Sequence, residues 1–447
     1  MPPVTVPARL HRLPPAAWVA LSFAALIAAG TLLLKLPWAT PAEAPVGWLD
    51  ALFTSTSASC VTGLAVRDTG TGFTGFGQAV ILLLIQVGGL GVMTFALFIV
   101  VAGGRFSLDQ RQLVEQTLAG ERSLAPRDLI RLVLTFTVGC EALGALGLWL
   151  AFRGELERPA WQAVFHAVAA FANAGFSLLP DNLSRFRGDL AVNAAVMLLI
   201  VLGGLGFLAV EDLLRARLRW RRLTLHTRIV VSASALLVVG GALGFWLIER
   251  RLSLAGLPPG EQVLASLFQS VTARTAGFNT VDFAALAPAT LLGMIVLMYI
   301  GGSPGSCAGG IKTTTAATMV LALRAGLAGR HNVNVFGRTL SRRTVALAFA
   351  ATTSALAAAN AGLFALLLIE APPAGPGRFA DYAFEAMSAL GTVGLSTGLT
   401  PTLEPASRLV LVALMFLGRV GPLTLAAVVA GRRADDWQHP GEAVMIG

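Results

Sequence analysis

One short pattern, repeated four times, constrains this chain more than any other feature. The segments are Leu52–Leu64, Val164–Phe176, Leu267–Phe278 and Ala383–Leu395. Each holds a Phe, then a Gly nine or ten residues later, then Leu or Phe. The glycines are Gly63, Gly175, Gly277 and Gly394, separated by 112, 102 and 117 residues. A second mark follows each: Gly88-Gly89-Leu90-Gly91, Gly203-Gly204-Leu205-Gly206, Gly301-Gly302 and Gly418-Arg419-Val420-Gly421. Small residues alone only let helices pack closely. Two marks in fixed order, four times over, define an internal repeat.

Between the marks the chain is apolar. Stretches of about 20 residues, enough to cross a hydrocarbon core of roughly 30 Å, recur near 17–36, 78–102, 129–152, 190–210, 228–248, 288–300, 344–369 and 405–430. With 13% of residues charged, the chain cannot cover a soluble surface, which places it in the membrane class. The first apolar run is too long for a cleavable signal. The expected divisions are a cytoplasmic N-terminus (1–16), repeat 1 (17–104), repeat 2 (105–215), repeat 3 with a broken second helix (216–330), repeat 4 (331–431) and a tail (432–447).

The segment before each first glycine has 10–14 apolar residues, too short to span as a helix, and reads as re-entrant. Its irregular end is tolerable only where it lines a cavity or is buried in protein. The predicted fold is therefore an all-α membrane protein with four helix–pore-loop–helix repeats in pseudo-fourfold symmetry around a central pore. Carbonyls of an extended strand can ligand a dehydrated cation without fixed charge. Glycine permits the backbone dihedrals this needs. The short helix points its partially negative end at the same place. Thr62, Thr275 and Thr392 are expected to tie the strands down through their hydroxyls, with Asn173 breaking the symmetry.

The net charge of +9 is laid out by side. Arg9, Arg12, Arg105, Arg111, Arg122, Arg127, the run Arg215 to Arg228, then Arg324, Arg330, Arg338, Arg342, Arg343, Arg432 and Arg433 fall on one face of the threading. That face is cytoplasmic by the positive-inside rule, which puts both termini inside a plasma (inner) membrane. Contact with anionic lipid fits these loops, and nucleic acid does not. Cys60, Cys140, Cys307 and the five scattered His offer no metal or disulfide spacing. A membrane enzyme lacks its catalytic set: His166 stands alone and Asp181 and Asp189 fall in an outer loop.

These motifs resemble the Trk/Ktr/HKT superfamily of potassium transporters over about residues 17–430. The resemblance implies filter positions at Val61-Thr62-Gly63-Leu64, Asn173-Ala174-Gly175-Phe176, Thr275-Ala276-Gly277-Phe278 and Thr392-Val393-Gly394-Leu395. Gly in all four places, where some plant relatives carry a Ser in the first, implies K+ permeation. The run from Gly301 through Gly302, Ser303, Pro304, Gly305, Gly309, Gly310 and Lys312 to Thr315 cannot hold a regular helix. By resemblance it is an intramembrane gate loop. A phosphate loop is excluded, because the G-x-x-x-x-G-K-[ST] spacing and a preceding strand are both missing. Arg419 stands where the other copies have Gly89, Gly204 and Gly302, and with the loop it would restrict the path. Lys312 either adds to that barrier or snorkels to the cytoplasmic edge.

Arg274 is expected to support the third filter segment by bonding pore-helix carbonyls. Glu385 is a candidate partner for a buried Arg, and Asp68 lies at the outer mouth. The chain looks most like the membrane subunit of the Ktr branch, because it begins directly with the first repeat. That implies a homodimer and a cytosolic ring of KtrA-like nucleotide-binding regulatory subunits, with K+ as the transported ion and Na+ as an activator. The competing reading is a sodium- or proton-coupled secondary transporter with alternating access.

Overall fold

The computed structural model describes residues 15–102, 126–370 and 378–421. Repeat 1 comprises α1 (Pro15–Leu34), α2 (Trp48–Ser59) and α3 (Gly75–Ala102). Repeat 2 comprises α4 (Pro126–Phe152), α5 (Pro159–Phe171), α6 (Leu190–Leu205) and α7 (Phe207–Arg215). Repeat 3 comprises α8 (Leu225–Glu249), α9 (Pro259–Thr272), α10 (Pro288–Tyr299) and α11 (Thr313–Leu327). Repeat 4 comprises α12 (Arg342–Glu370), α13 (Arg378–Gly391) and α14 (Pro405–Val420). The expected divisions at 1–16 and 432–447 concern residues largely or wholly outside this description.

The first helix of every repeat is long and apolar enough to cross a membrane. Each turns apolar side chains outward, such as Leu143 and Leu236, both 74% exposed. An intact helix satisfies its own backbone, so such a face can meet lipid. The second elements, α2, α5, α9 and α13, run 12 to 14 residues, or about 20 Å, and stop inside the protein. Phe53, Phe165, Phe268 and Phe384, the aromatic of each repeat, are at most 1% exposed and fix these short helices in the core. Pro159 and Pro259 stand at the first helical position, where a missing N–H costs nothing.

The third elements differ most. The apolar stretch 190–210, expected to be one span, is two helices bent by 97° at Gly206. Gly206 adopts φ 88°, and a side chain there would strike the Pro304 carbonyl, so the bend belongs to the contact with repeat 3. The stretch 288–300 ends as helix at Tyr299 and resumes only at Thr313. Asn334–Val335 pairs antiparallel with Arg338–Thr339 across the Phe336-Gly337 turn, in which both residues have positive φ.

Four polar seams join the repeats in a cycle. Arg408 pairs with Asp50 at 2.8 Å between repeats 4 and 1. Gln86 donates to Glu141 at 3.2 Å between 1 and 2. Asn182 Oδ1 accepts from Asn279 N at 3.3 Å between 2 and 3. The Tyr299 hydroxyl donates to the Thr352 carbonyl at 2.5 Å between 3 and 4.

Candidate ion pathway

Three of the four short helices end in the same way, and the third repeat closes one residue tighter, with Ala276 N bonding Thr272 O at 2.9 Å. Thr62 N bonds Ser57 O at 2.7 Å, Ala174 N bonds Ala169 O at 2.8 Å, and Val393 N bonds Ser388 O at 2.8 Å. This is the six-residue closure that follows a left-handed residue at a helix C-terminus. That residue is Val61 (φ 56°), Asn173 (57°) and Thr392 (50°), and Thr275 (67°) in repeat 3. The conformation is usually left to Gly. For a β-branched residue it costs roughly 1–2 kcal/mol. Two residues on come Gly63, Gly175, Gly277 and Gly394, again with positive φ. Eight strained or permissive positions in four matched pairs are what the repeat looks like in three dimensions.

The four glycines close a ring. A methyl on Gly63 would stand 2.5 Å from the Ala174 carbonyl oxygen, one on Gly175 3.0 Å from that of Ala276, and one on Gly277 2.5 Å from that of Val393. One on Gly394 would strike the Thr62 carbonyl, which returns to the first repeat. The loops of all four repeats therefore meet about one axis, backbone to backbone, with no room for a side chain.

The hydroxyls of Thr62, Thr275 and Thr392 do not tie the strands down, since all three are buried without a partner. The tying groups come from the short helices. Ser57 Oγ accepts from Gly63 N at 3.0 Å, Ser388 Oγ accepts from Gly394 N at 3.1 Å, and Thr272 Oγ1 donates to Phe278 O at 2.6 Å. Asn173, with its amide turned to satisfy both ends, donates to Ile200 O at 3.2 Å and accepts from Gly204 N at 3.3 Å.

A further set of holders escaped the sequence reading. The residue after each marker Phe is Thr54, His166, Gln269 or Glu385. His166 Nε2 meets Ser177 Oγ at 2.9 Å, and Gln269 Nε2 donates to Thr280 Oγ1 at 3.0 Å. Glu385 accepts from the Ser396 hydroxyl at 2.5 Å, Thr397 N at 3.1 Å and the Thr400 hydroxyl at 2.5 Å. His166, Gln269 and Glu385 each pin the strand just beyond the glycine to their own short helix. Glu385 therefore serves its own loop and, among the described residues, partners no Arg. The signal was visible: a polar residue follows the same Phe in every copy, and in three of them it holds the strand.

Arg274 is 7% exposed, and its Nε and Nη2 have no hydrogen-bond partner. It does not bond the carbonyls that end its short helix. Asp68 caps the turn Thr69–Gly72, accepting from Thr71 N at 2.7 Å. With Asp181 and Asp282 it lines a vestibule of about 420 Å³ that Gly63 and Gly175 also line.

On the other side of the ring lies the broken part of repeat 3. Its stem is held by Gly301 N to Ile311 O at 2.9 Å and Thr313 N to Gly302 O at 3.0 Å. Its crown leans on repeat 2: Ser303 N bonds Gly204 O at 3.0 Å, Cys307 N bonds Gly203 O at 3.1 Å, and Phe207 N bonds Gly305 O at 3.0 Å. Gly309 and Gly310 pack against Thr392 and the Gly391 carbonyl of repeat 4 so closely that a Cβ on Gly309 would strike the Thr392 hydroxyl. Lys312 Nζ turns back on Ala308 O at 2.7 Å, within the loop itself. Arg419, 6% exposed, donates to Cys307 O at 2.5 Å and to Gly88 O at 2.6 Å. It joins repeats 1, 3 and 4, and among the described residues it has no carboxylate partner. Its charge is therefore not cancelled locally.

The sequence matches the profile of the TrkH family, described as a cation transport protein, over residues 17–434. The chain belongs to this family. It is similar to Ktr system potassium uptake protein B of Bacillus subtilis, 37% identical, with 98% of this chain and 97% of that protein covered. It is equally similar to the potassium/sodium uptake protein NtpJ of Enterococcus hirae, 37% identical over 98% of each. The crystal structure of the potassium transporter TrkH from Vibrio parahaemolyticus matches with a TM-score of 0.72 at 21% identity, covering 93% of this chain and 84% of that one. That likeness shows the fold: an all-α membrane protein of helix–loop–helix repeats. This TrkH-family chain is a transport protein of the membrane, in keeping with its relatives, which are transporters and not enzymes.

Proposed function

We propose that the chain takes up K+ across the cell membrane through a filter formed by Val61-Thr62-Gly63, Asn173-Ala174-Gly175, Thr275-Ala276-Gly277 and Thr392-Val393-Gly394. The observation that carries this reading is the closed ring of four glycines, each against the next repeat's carbonyl. Backbone oxygens around one axis replace the hydration of an alkali cation and release it again. The loop from Gly301 to Lys312, with Arg419, acts as the gate below the filter. It rests by hydrogen bonds on both neighbouring repeats, so it can be released as a unit without unfolding its stem.

The names of the relatives support K+ as cargo, and the potassium/sodium name of one leaves room for Na+ as an activator. The arginine-rich loops support cytoplasmic termini, and the names of the Ktr system relatives support a multi-component assembly, here read as a homodimer on a KtrA-like ring. The test is cation uptake by the purified chain in liposomes, K+ against Na+, for wild type and Gly277→Ser. Selective K+ flux that loses selectivity in the variant supports the filter. No flux of either ion, even with residues 303–311 deleted, refutes the pore. Flux that requires a sodium or proton gradient favours coupled transport instead.

A further inference from the structure

The seam between repeats 1 and 2 holds a carboxyl that the ion path does not use. Glu141 lies at the midpoint of the span Ile130–Phe152, about 16 Å of helix from either end. An ionised carboxylate at that depth is costly unless it is paired. No cation pairs with it among the described residues. Its partner is an amide: Gln86 Nε2 of α3 donates to Glu141 Oε2 at 3.2 Å. The two remaining oxygens, Glu141 Oε1 and Gln86 Oε1, are both buried and both lack a hydrogen-bond partner.

A carboxylate and an amide carbonyl are both acceptors, so they cannot satisfy each other. Adding one hydrogen changes that. A protonated carboxyl presents one donor and one acceptor, the complement of the donor and acceptor edge of a primary amide. We propose that Glu141 is a proton-binding site, whose carboxyl keeps its hydrogen and donates it to Gln86 Oε1, closing a ring of two hydrogen bonds across the seam. One proton removes both orphaned acceptors and the buried charge together.

Among the described residues, the groups facing Glu141 do not offer another neutralisation. α3 and α6 carry no ionisable side chain in their described parts. On α5, His166 is engaged with Gln162 O and Ser177. Cys140 is its neighbour on α4, and the Cys307 thiol lies within electrostatic reach. Lys312 and Arg419 are bound to carbonyls. Gln86 stands two residues before Gly88, whose carbonyl receives Arg419. The proton therefore fastens the stretch of α3 on which the Arg419 contact rests.

The test is infrared spectroscopy of the purified full chain in detergent or lipid, at mildly alkaline pH. A protonated carboxyl gives a C=O stretch that shifts on exchange into D2O. We expect such a band in wild type and its loss in Glu141→Gln, which keeps both ring bonds as an amide pair. Thermal stability supplies the second readout. A folded state that binds the extra proton loses stability as pH rises, so wild type should decline toward alkaline pH more steeply than Glu141→Gln. Should that variant not fold, Gln86→Leu serves: the band persists but moves, because the ring partner is gone. Identical bands in wild type and Glu141→Gln, with parallel pH profiles, would overturn the assignment. So would an ionised Glu141 with its oxygens bridged by water, seen as no such band in wild type. A stability gain from added Na+ that Glu141→Gln abolishes would also overturn it, marking a cation site in place of a proton site.

Discussion

Replacing Arg419 by Met tests the proposed gate in both of its parts. The guanidinium makes hydrogen bonds of 2.5 Å to Cys307 O and 2.6 Å to Gly88 O, and it lies over the Phe23 ring at 5.9 Å. Met keeps most of the length and can still pack on Phe23. Two effects then act on conduction in the same direction. An uncancelled positive charge on the order of 8 Å from the ion path, at an effective dielectric of ~20, raises the barrier for a cation by about 2 kcal/mol. Removing it predicts a gain of roughly 30-fold in flux. The crown of the loop also loses its tether at Cys307, which adds to the gain. Stability should change little, because two charge-assisted bonds are lost while a buried charge no longer has to be desolvated. The assay is radioactive rubidium uptake into liposomes at matched protein incorporation, with thermal unfolding in parallel. Unchanged or reduced flux, in a variant as stable as wild type, would refute the charge barrier and the tether together.

Other expectations follow from the same geometry. Gly277→Ser puts a side chain where a methyl already meets the Val393 carbonyl at 2.5 Å, so competition uptake should show K+ over Na+ selectivity falling at least tenfold. Glu385→Gln replaces one of two accepting oxygens by an NH2 that faces a donor, which costs about 1 kcal/mol per disturbed bond and should lower selectivity, and Glu385→Ala should lower it further. Val61→Gly relieves a left-handed β-branched residue by roughly 1–2 kcal/mol but removes a buried core side chain worth about 1.5–3 kcal/mol and loosens the unfolded chain, so the melting temperature should fall while selectivity declines in the looser strand. Deleting residues 303–311 removes the contacts to Gly203 and Gly204 and should raise flux of K+ in the same liposome assay.

What could be read from the sequence, and what could not, divides along local and tertiary causes. The four glycines and their Phe partners were legible because spacing is one-dimensional. The strained residue two places earlier was half-legible: Asn173 suits a left-handed position, but Val61 and Thr392 do not advertise one. The bend at Gly206 was illegible. Gly203-Gly204-Leu205-Gly206 reads like Gly88-Gly89-Leu90-Gly91, yet α3 continues through its copy and α6 stops. The difference is made elsewhere, by Pro304 against Gly206 and by Gly305 O receiving Phe207 N. The tying hydroxyls were misassigned for a related reason. Thr62 lies next to the glycine in sequence, but the group that reaches Gly63 N is Ser57, one turn and a half back along the helix.

The repeats are alike at the ring and unalike below it. A pore assembled from four identical subunits must place the same segment at the axis four times. A flap as wide as Gly301–Ile311 would collide with its own copies there. Joining the four quadrants in one chain removes that constraint. One quadrant can contribute the flap, its neighbour the carbonyls it rests on, and a third the cation that holds it down. On the proposed gating, closure depends on a single part, so a regulator needs to act on only one of four sides, and a substitution in one quadrant is felt once instead of four times.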